Sequence, residues 1–99
     1  MFLVILDEAC VHAYESPAAA ACDIEALDAG EVRAAFDIEG RLYDVEWIRP
    51  NQFRKFLGLT FAENGLYRFS PTGVVDRTAM LARLATCSVP PEIRARLHR

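Results

Sequence analysis

Cysteine is sparse here and unpaired. Cys10, Cys22 and Cys87 are odd in number, widely spaced and without a Cys-x-x-Cys. That excludes a disulfide framework and predicts reduced, buried thiols. The histidines, His12 and His98, are fewer still. With no paired ligand spacing, a zinc site is excluded, and neither metal nor cofactor is expected. Long apolar runs are also missing. The longest bulky one, Phe2-Leu3-Val4-Ile5-Leu6, has five residues, against about 20 for a membrane helix. A basic n-region followed by a long apolar stretch is absent as well, so the chain reads as cytosolic with no membrane partner. No Gly-x-Gly-x-x-Gly, phosphate loop or Gly-x-Ser-x-Gly occurs. Lys55 is the single lysine beside ten arginines, and with fifteen alanines this composition suits a GC-rich bacterial genome.

What is present is a chain of 99 residues, 53% apolar and 25% charged, which is ordinary globular composition and enough for one core. No repeat, linker or low-complexity tract interrupts it, so residues 1–99 read as a single domain. Its net charge of −3 conceals a strong polarity. Residues 1–48 carry eleven carboxylates against Arg33 and Arg41, a net −9, and residues 49–99 carry nine basic residues against Glu63, Asp76 and Glu92, a net +6. Fields of this kind attract partners of the opposite sign.

The pattern predicts an α+β fold: an antiparallel sheet with two hairpins and two or three helices packed on one face. Phe2 to Leu6 suits a buried strand, and Ala9 to Tyr14 continues it past a bulge or pairs with it as a hairpin. Ser16-Pro17 opens a helix as N-cap and first helical residue. Ala20, Ile24 and Leu27 share one face of it, and Gly30 is its stop. Residues 31–48 form a hairpin about Asp37-Ile38-Glu39-Gly40. A register with Phe36 opposite Arg41, Ala34 opposite Tyr43 and Val32 opposite Val45 gives one apolar face and one acidic face, the latter holding Glu31, Asp44 and Glu46. A second hairpin turns at Glu63-Asn64-Gly65, pairing Phe61 with Tyr67 and Leu59 with Phe69. The stretch 49–58 between them is a connection, with room for one helical turn. Asp76 to Ala85 is a helix burying Met80, Leu81 and Leu84 and exposing Arg77 and Arg83, and a short basic helix or tail follows Pro90-Pro91.

Few residues are placed to carry chemistry. Cys10 and His12, two apart in a strand, share a face as a thiolate and its base would. No cysteine-nucleophile signature surrounds them, and a small buried hydrophobe beside a half-buried histidine accounts for both. Asp44 and Glu46, with Glu31 across from Glu46, would suit two-carboxylate hydrolysis or a hard cation. An exposed strand face, however, lacks the cleft that raises one carboxyl pKa, so a partner surface fits better and no enzyme is expected. In the basic half, Arg49, Arg54, Lys55 and Arg68 stand among Phe53, Phe56 and Tyr67, a mixture that can hold single-stranded nucleic acid. Against it stand a pI of 5.3 and the absence of a recognition-helix or RNP-like pattern.

Glu15-Ser16-Pro17, Ile24-Glu25-Ala26-Leu27-Asp28, Gly30-Glu31, Phe36-Asp37 and Gly40-Arg41-Leu42-Tyr43 together resemble small bacterial proteins of the immunity type, encoded beside secreted or contact-delivered toxins. The resemblance spans residues 14–47. It implies a stoichiometric binder that blocks one cognate toxin without catalytic residues. Asp23, Glu25 and Asp28 sit late in their helix, where the dipole disfavours anions. With Glu31, Asp44 and Glu46 they are the expected contact residues for a toxin or other basic protein. The second reading is a nucleic-acid-associated regulator using the basic half.

Overall fold

A computed structural model describes residues 1–6 and 11–97. Cys10 and His98 lie outside the described residues, and with Cys10 goes the proposed Cys10–His12 pair. Seven strands and three helices follow in the order β1 (Phe2–Ile5), β2 (Val11–Tyr14), α1 (Pro17–Asp23), β3 (Ala34–Asp37), β4 (Arg41–Arg49), β5 (Gln52–Phe56), β6 (Leu59–Glu63), β7 (Leu66–Val75), α2 (Arg77–Leu84) and α3 (Pro91–Leu97). Five strands make one sheet in the order β2-β1-β3-β4-β7, each antiparallel to its neighbours. Strands β5 and β6 make a separate two-stranded ribbon. The chain is therefore the α+β domain that the pattern predicts.

Its helices are not on one face. Phe2 and Val4 of β1 pack with Ala20, Ile24, Ala26 and Ala29, around α1 and the loop after it. Leu3 and Ile5 point the other way, onto Met80 and Leu84 of α2 and Ile93 of α3. Both faces of β1 are dry, which is why its four residues form an unbroken apolar run rather than an alternation. On the α1 face, the Phe2 ring meets Tyr43 edge-on at 5.0 Å and Phe69 at 5.1 Å, and Tyr67 meets Phe69 edge-on at 5.5 Å. Such pairs add roughly 0.5–1.5 kcal/mol each beyond their buried area.

The same two-sided burial corrects the first hairpin. β3 and β4 pair as Ala35 with Tyr43 and Phe36 with Leu42, one residue from the expected register. The expected register assumed one wet face. Here each pair instead feeds a different core, Ala35 and Tyr43 toward α1, Phe36 and Leu42 toward α2. The turn widens to match: Asp37 Oδ1 accepts from the amides of Glu39 and Arg41 at 2.9 and 3.0 Å. Glu31 belongs to a short 3-10 turn over Ala29–Glu31 and does not sit across from Glu46.

The α1 start is as expected, with Ser16 Oγ accepting from the Ala19 amide at 3.1 Å and proline in the first turn. Its end comes earlier than Gly30. Ile24 turns extended to reach the core, and its carbonyl accepts the buried Tyr67 hydroxyl at 2.6 Å instead of a following helical amide. α2 begins at Asp76, whose carboxylate accepts from the Ala79 amide at 2.9 Å, and it buries Met80 and Leu84.

The second hairpin is overturned. Its turn is at Leu57-Gly58, and 52–56 is a strand with no helical turn. β5 and β6 pair from Gln52 with Glu63 to Phe56 with Leu59, while β7 pairs with β4, Trp47 facing Tyr67 and Arg49 facing Leu66. From Arg49/Leu66 to Gln52/Glu63 each strand advances three residues, so the ribbon prolongs the β4–β7 hairpin in register. Pro50, lacking an amide proton, stands at the break. Asn64-Gly65, which reads as a turn, is a tether. Asn64 Oδ1 accepts from the Leu27 amide at 2.9 Å, and Asn51 bridges the Gly65 amide and the Ala26 carbonyl at 2.8 and 2.9 Å. A Cβ on Gly65 would lie 2.1 Å from the Arg49 carbonyl oxygen, so only glycine fits there. The ribbon makes the molecule long, 55 × 26 × 20 Å, with a radius of gyration of 15.2 Å against about 13 Å for a compact chain of this length.

Candidate functional site

β4 outruns its inner neighbour. β3 pairs with it only at two positions, while β4 continues to Arg49 along β7. Beside this stretch the chain of residues 29–33 crosses, leaving an open groove of about 680 Å³. Val32, Val45 and Trp47 supply its apolar wall, Arg33, Asp44 and Arg83 its charges. Trp47 is 42% exposed and its ring leans on Tyr67 at 5.7 Å, which holds an aromatic surface at the groove. An apolar wall with charges at its margin is how protein-binding sites are built.

The six acidic residues divide into two kinds. Asp23 Oδ2 accepts the Tyr14 hydroxyl at 2.7 Å, so it braces α1 against β2. Burial, and then this bond, push the Tyr14 pKa up to about 12. Glu46 is tied to Arg68, its cross-strand partner, at 2.8 Å. That bond, with a smaller one to Ser70, holds the Glu46 carboxyl below its usual range and raises Arg68. Glu25, Asp28, Glu31 and Asp44 are the other kind. All four are exposed, and among the described residues the ion pairs go to Asp37, Glu39, Glu46 and Glu63 instead. Asp44 lines the groove, and Glu31 lies between the groove residues Gly30 and Val32. Asp44 and Glu46 do share a strand face, as expected.

The basic candidates are partly committed. Arg68 is held by Glu46, and Arg54 lies 3.7 Å from Glu63 and hydrogen bonds to Gln52. His12 is exposed on β2. Cys22 is exposed and Cys87 half-buried, so burial of the thiols fails for Cys22, on the outer side of α1. Among the described residues no cluster of histidine, cysteine and carboxylates could hold a metal ion, and no helix is long and apolar enough to cross a membrane.

The feature that sequence reasoning missed is the ribbon. Phe53, Phe56, Leu57, Leu59 and Phe61 all project from it, from 50% exposed at Phe61 to 85% at Leu57. The signal was available in Gly58 between two aromatic runs, but Asn64-Gly65 matched a turn more closely. Comparisons with known protein families, curated proteins and solved structures find no match to this chain.

Proposed function

We propose that this chain is a stoichiometric protein-binding module of the cytoplasm, taking a basic partner at the groove beside β4. The observation that carries it is the set of exposed carboxylates without an ion-pair partner among the described residues, with Asp44 lining a groove walled by Trp47 and Val45 and Glu31 next in the chain to its lining residues Gly30 and Val32. Trp47 would bury on contact, and Glu31 and Asp44 would steer and orient the partner. A toxin neutralised by an immunity protein is the partner that the resemblance over residues 14–47 implies, and a basic nuclease would suit the charge. Glu25 and Asp28 extend the same field. Asp23 and Glu46 have intramolecular work and contribute less.

The test is capture of partners by the tagged protein from its own organism, eluted with rising salt, beside a Glu31→Lys, Asp44→Lys double variant. The expected result is one stoichiometric basic protein, held by the native chain and lost from the variant. Equal retention by both overturns the reading that Glu31 and Asp44 hold the partner. The second reading, a nucleic-acid-associated regulator, rests on Arg49, Arg54 and Lys55 beside Phe53 and Phe56. Oligonucleotide affinity falling steeply with salt would favour it.

A further inference from the structure

The two long edges of the ribbon are chemically different. β5 presents Arg54 and Lys55 in succession, whereas β6 reads Leu59-Thr60-Phe61-Ala62-Glu63, with one charge, at its base. Proteins normally blunt an open strand edge with charge, proline or a bulge, because its unpaired backbone groups template another strand. β5 is blunted in this way and β6 is not. Among the described residues no third strand joins the ribbon, and a two-stranded hairpin outside a core is marginal in water.

We propose that β6 pairs antiparallel with β6 of a second copy about a twofold axis at Phe61, joining the two ribbons into one four-stranded sheet. The strand is self-complementary in that arrangement. Phe61 is its middle residue, so it faces its own counterpart, Leu59 faces the counterpart of Glu63, and Thr60 that of Ala62. No like charges meet. The same operation on β5 would set Arg54 against Arg54, which is repulsive. Phe56, Leu59 and Phe61 lie on one face of each ribbon, since Phe56 pairs with Leu59 and Phe61 with Arg54. The twofold keeps those faces on the same side, giving one continuous apolar strip and an aromatic pair at the axis. The contact is small, so the dimer is weak and reversible. It stands independently of the groove, which uses β4 and residues 29–33.

Sedimentation of the full chain across a micromolar concentration series tests this. The expected result is a concentration-dependent dimer that Phe61→Lys weakens roughly tenfold or more and that Arg54→Gln leaves unchanged. Phe61→Cys supplies a milder variant should the lysine disturb the ribbon. Cα atoms facing across an antiparallel pair lie about 4.5–5.5 Å apart, within disulfide reach. Mild oxidation should therefore cross-link Phe61→Cys faster than Ala62→Cys. A monomer at every concentration, a dimer indifferent to Phe61→Lys, or equal cross-linking at the two positions overturns the proposal. So does a monomer that binds single-stranded oligonucleotide through the ribbon.

Discussion

At the residue scale, Tyr67 ties β4, β7 and the end of α1 together. Its ring is buried between Trp47 and Phe69, and its hydroxyl closes α1 by capturing the Ile24 carbonyl. Removing that hydroxyl strands a carbonyl in the α1-side core, at a cost of about 1–3 kcal/mol. Tyr67→Phe should thus lower the thermal midpoint by several degrees with the aromatic packing kept. Near-ultraviolet circular dichroism and a melting curve check both halves, and an unchanged midpoint would deny the bond its role. Asp23 shows the limit of reading charges one at a time. In the sequence it is one more helix-end anion suited to a partner, and the fold gives it Tyr14.

At the scale of elements, the ribbon departs most from what the neighbouring strands do. Its turn sets Leu57 at φ 50° and Gly58 at φ 78°, both left-handed, as type I′ hairpin turns require. Glycine adopts this freely, and leucine does so at roughly 1–2 kcal/mol. Leu57→Asn creates the Asn-Gly pair that this turn favours and should firm the ribbon by about 1 kcal/mol. Because the ribbon can open without the cores, global unfolding is the wrong measurement. Hydrogen exchange at β5 and β6 should slow roughly fivefold, and exchange as fast as in the native chain would show that the turn is not what limits the ribbon.

At the scale of the whole molecule, the acidic and basic halves lie side by side, since β4 pairs with β7 and Asp44 shares its groove with Arg83. Among the described residues, the ion pairs Arg41–Asp37 and Arg41–Glu39 stay within the acidic half and Arg54–Glu63 within the basic half, with Arg68–Glu46 joining the two. A second global property is alkaline lability. Tyr14 and Tyr67 both have pKa values raised from 10 to about 12, chiefly by burial. The folded state therefore holds their protons more tightly than the unfolded state does. Their contribution is complete below pH 10 and is lost as pH rises through about 12. Melting temperature should fall over that window, with two tyrosines ionising late by absorbance at 295 nm. Half-ionisation of Tyr14 and Tyr67 near pH 10 in the folded protein would refute this.

The sequence by itself determined what local rules can encode. The apolar run at Phe2, the Ser16-Pro17 helix start, the helix from Asp76 and the buried spacing of Met80 and Leu84 needed no distant partner to be legible. The polarity of charge was legible too, since it is only a count along the chain. Tertiary structure alone decided which side each element packs on and which strand pairs with which. β1 has helices on both faces, so the β3–β4 register answers to two cores instead of one. Asn64-Gly65 has the local chemistry of a turn, yet Asn51, Asn64 and the loop after α1 use it as an anchor, and the reversal moves to Leu57-Gly58. Pairing free energies are summed over whole strands and across the sheet, and a local preference of about 1 kcal/mol at one turn yields to that sum.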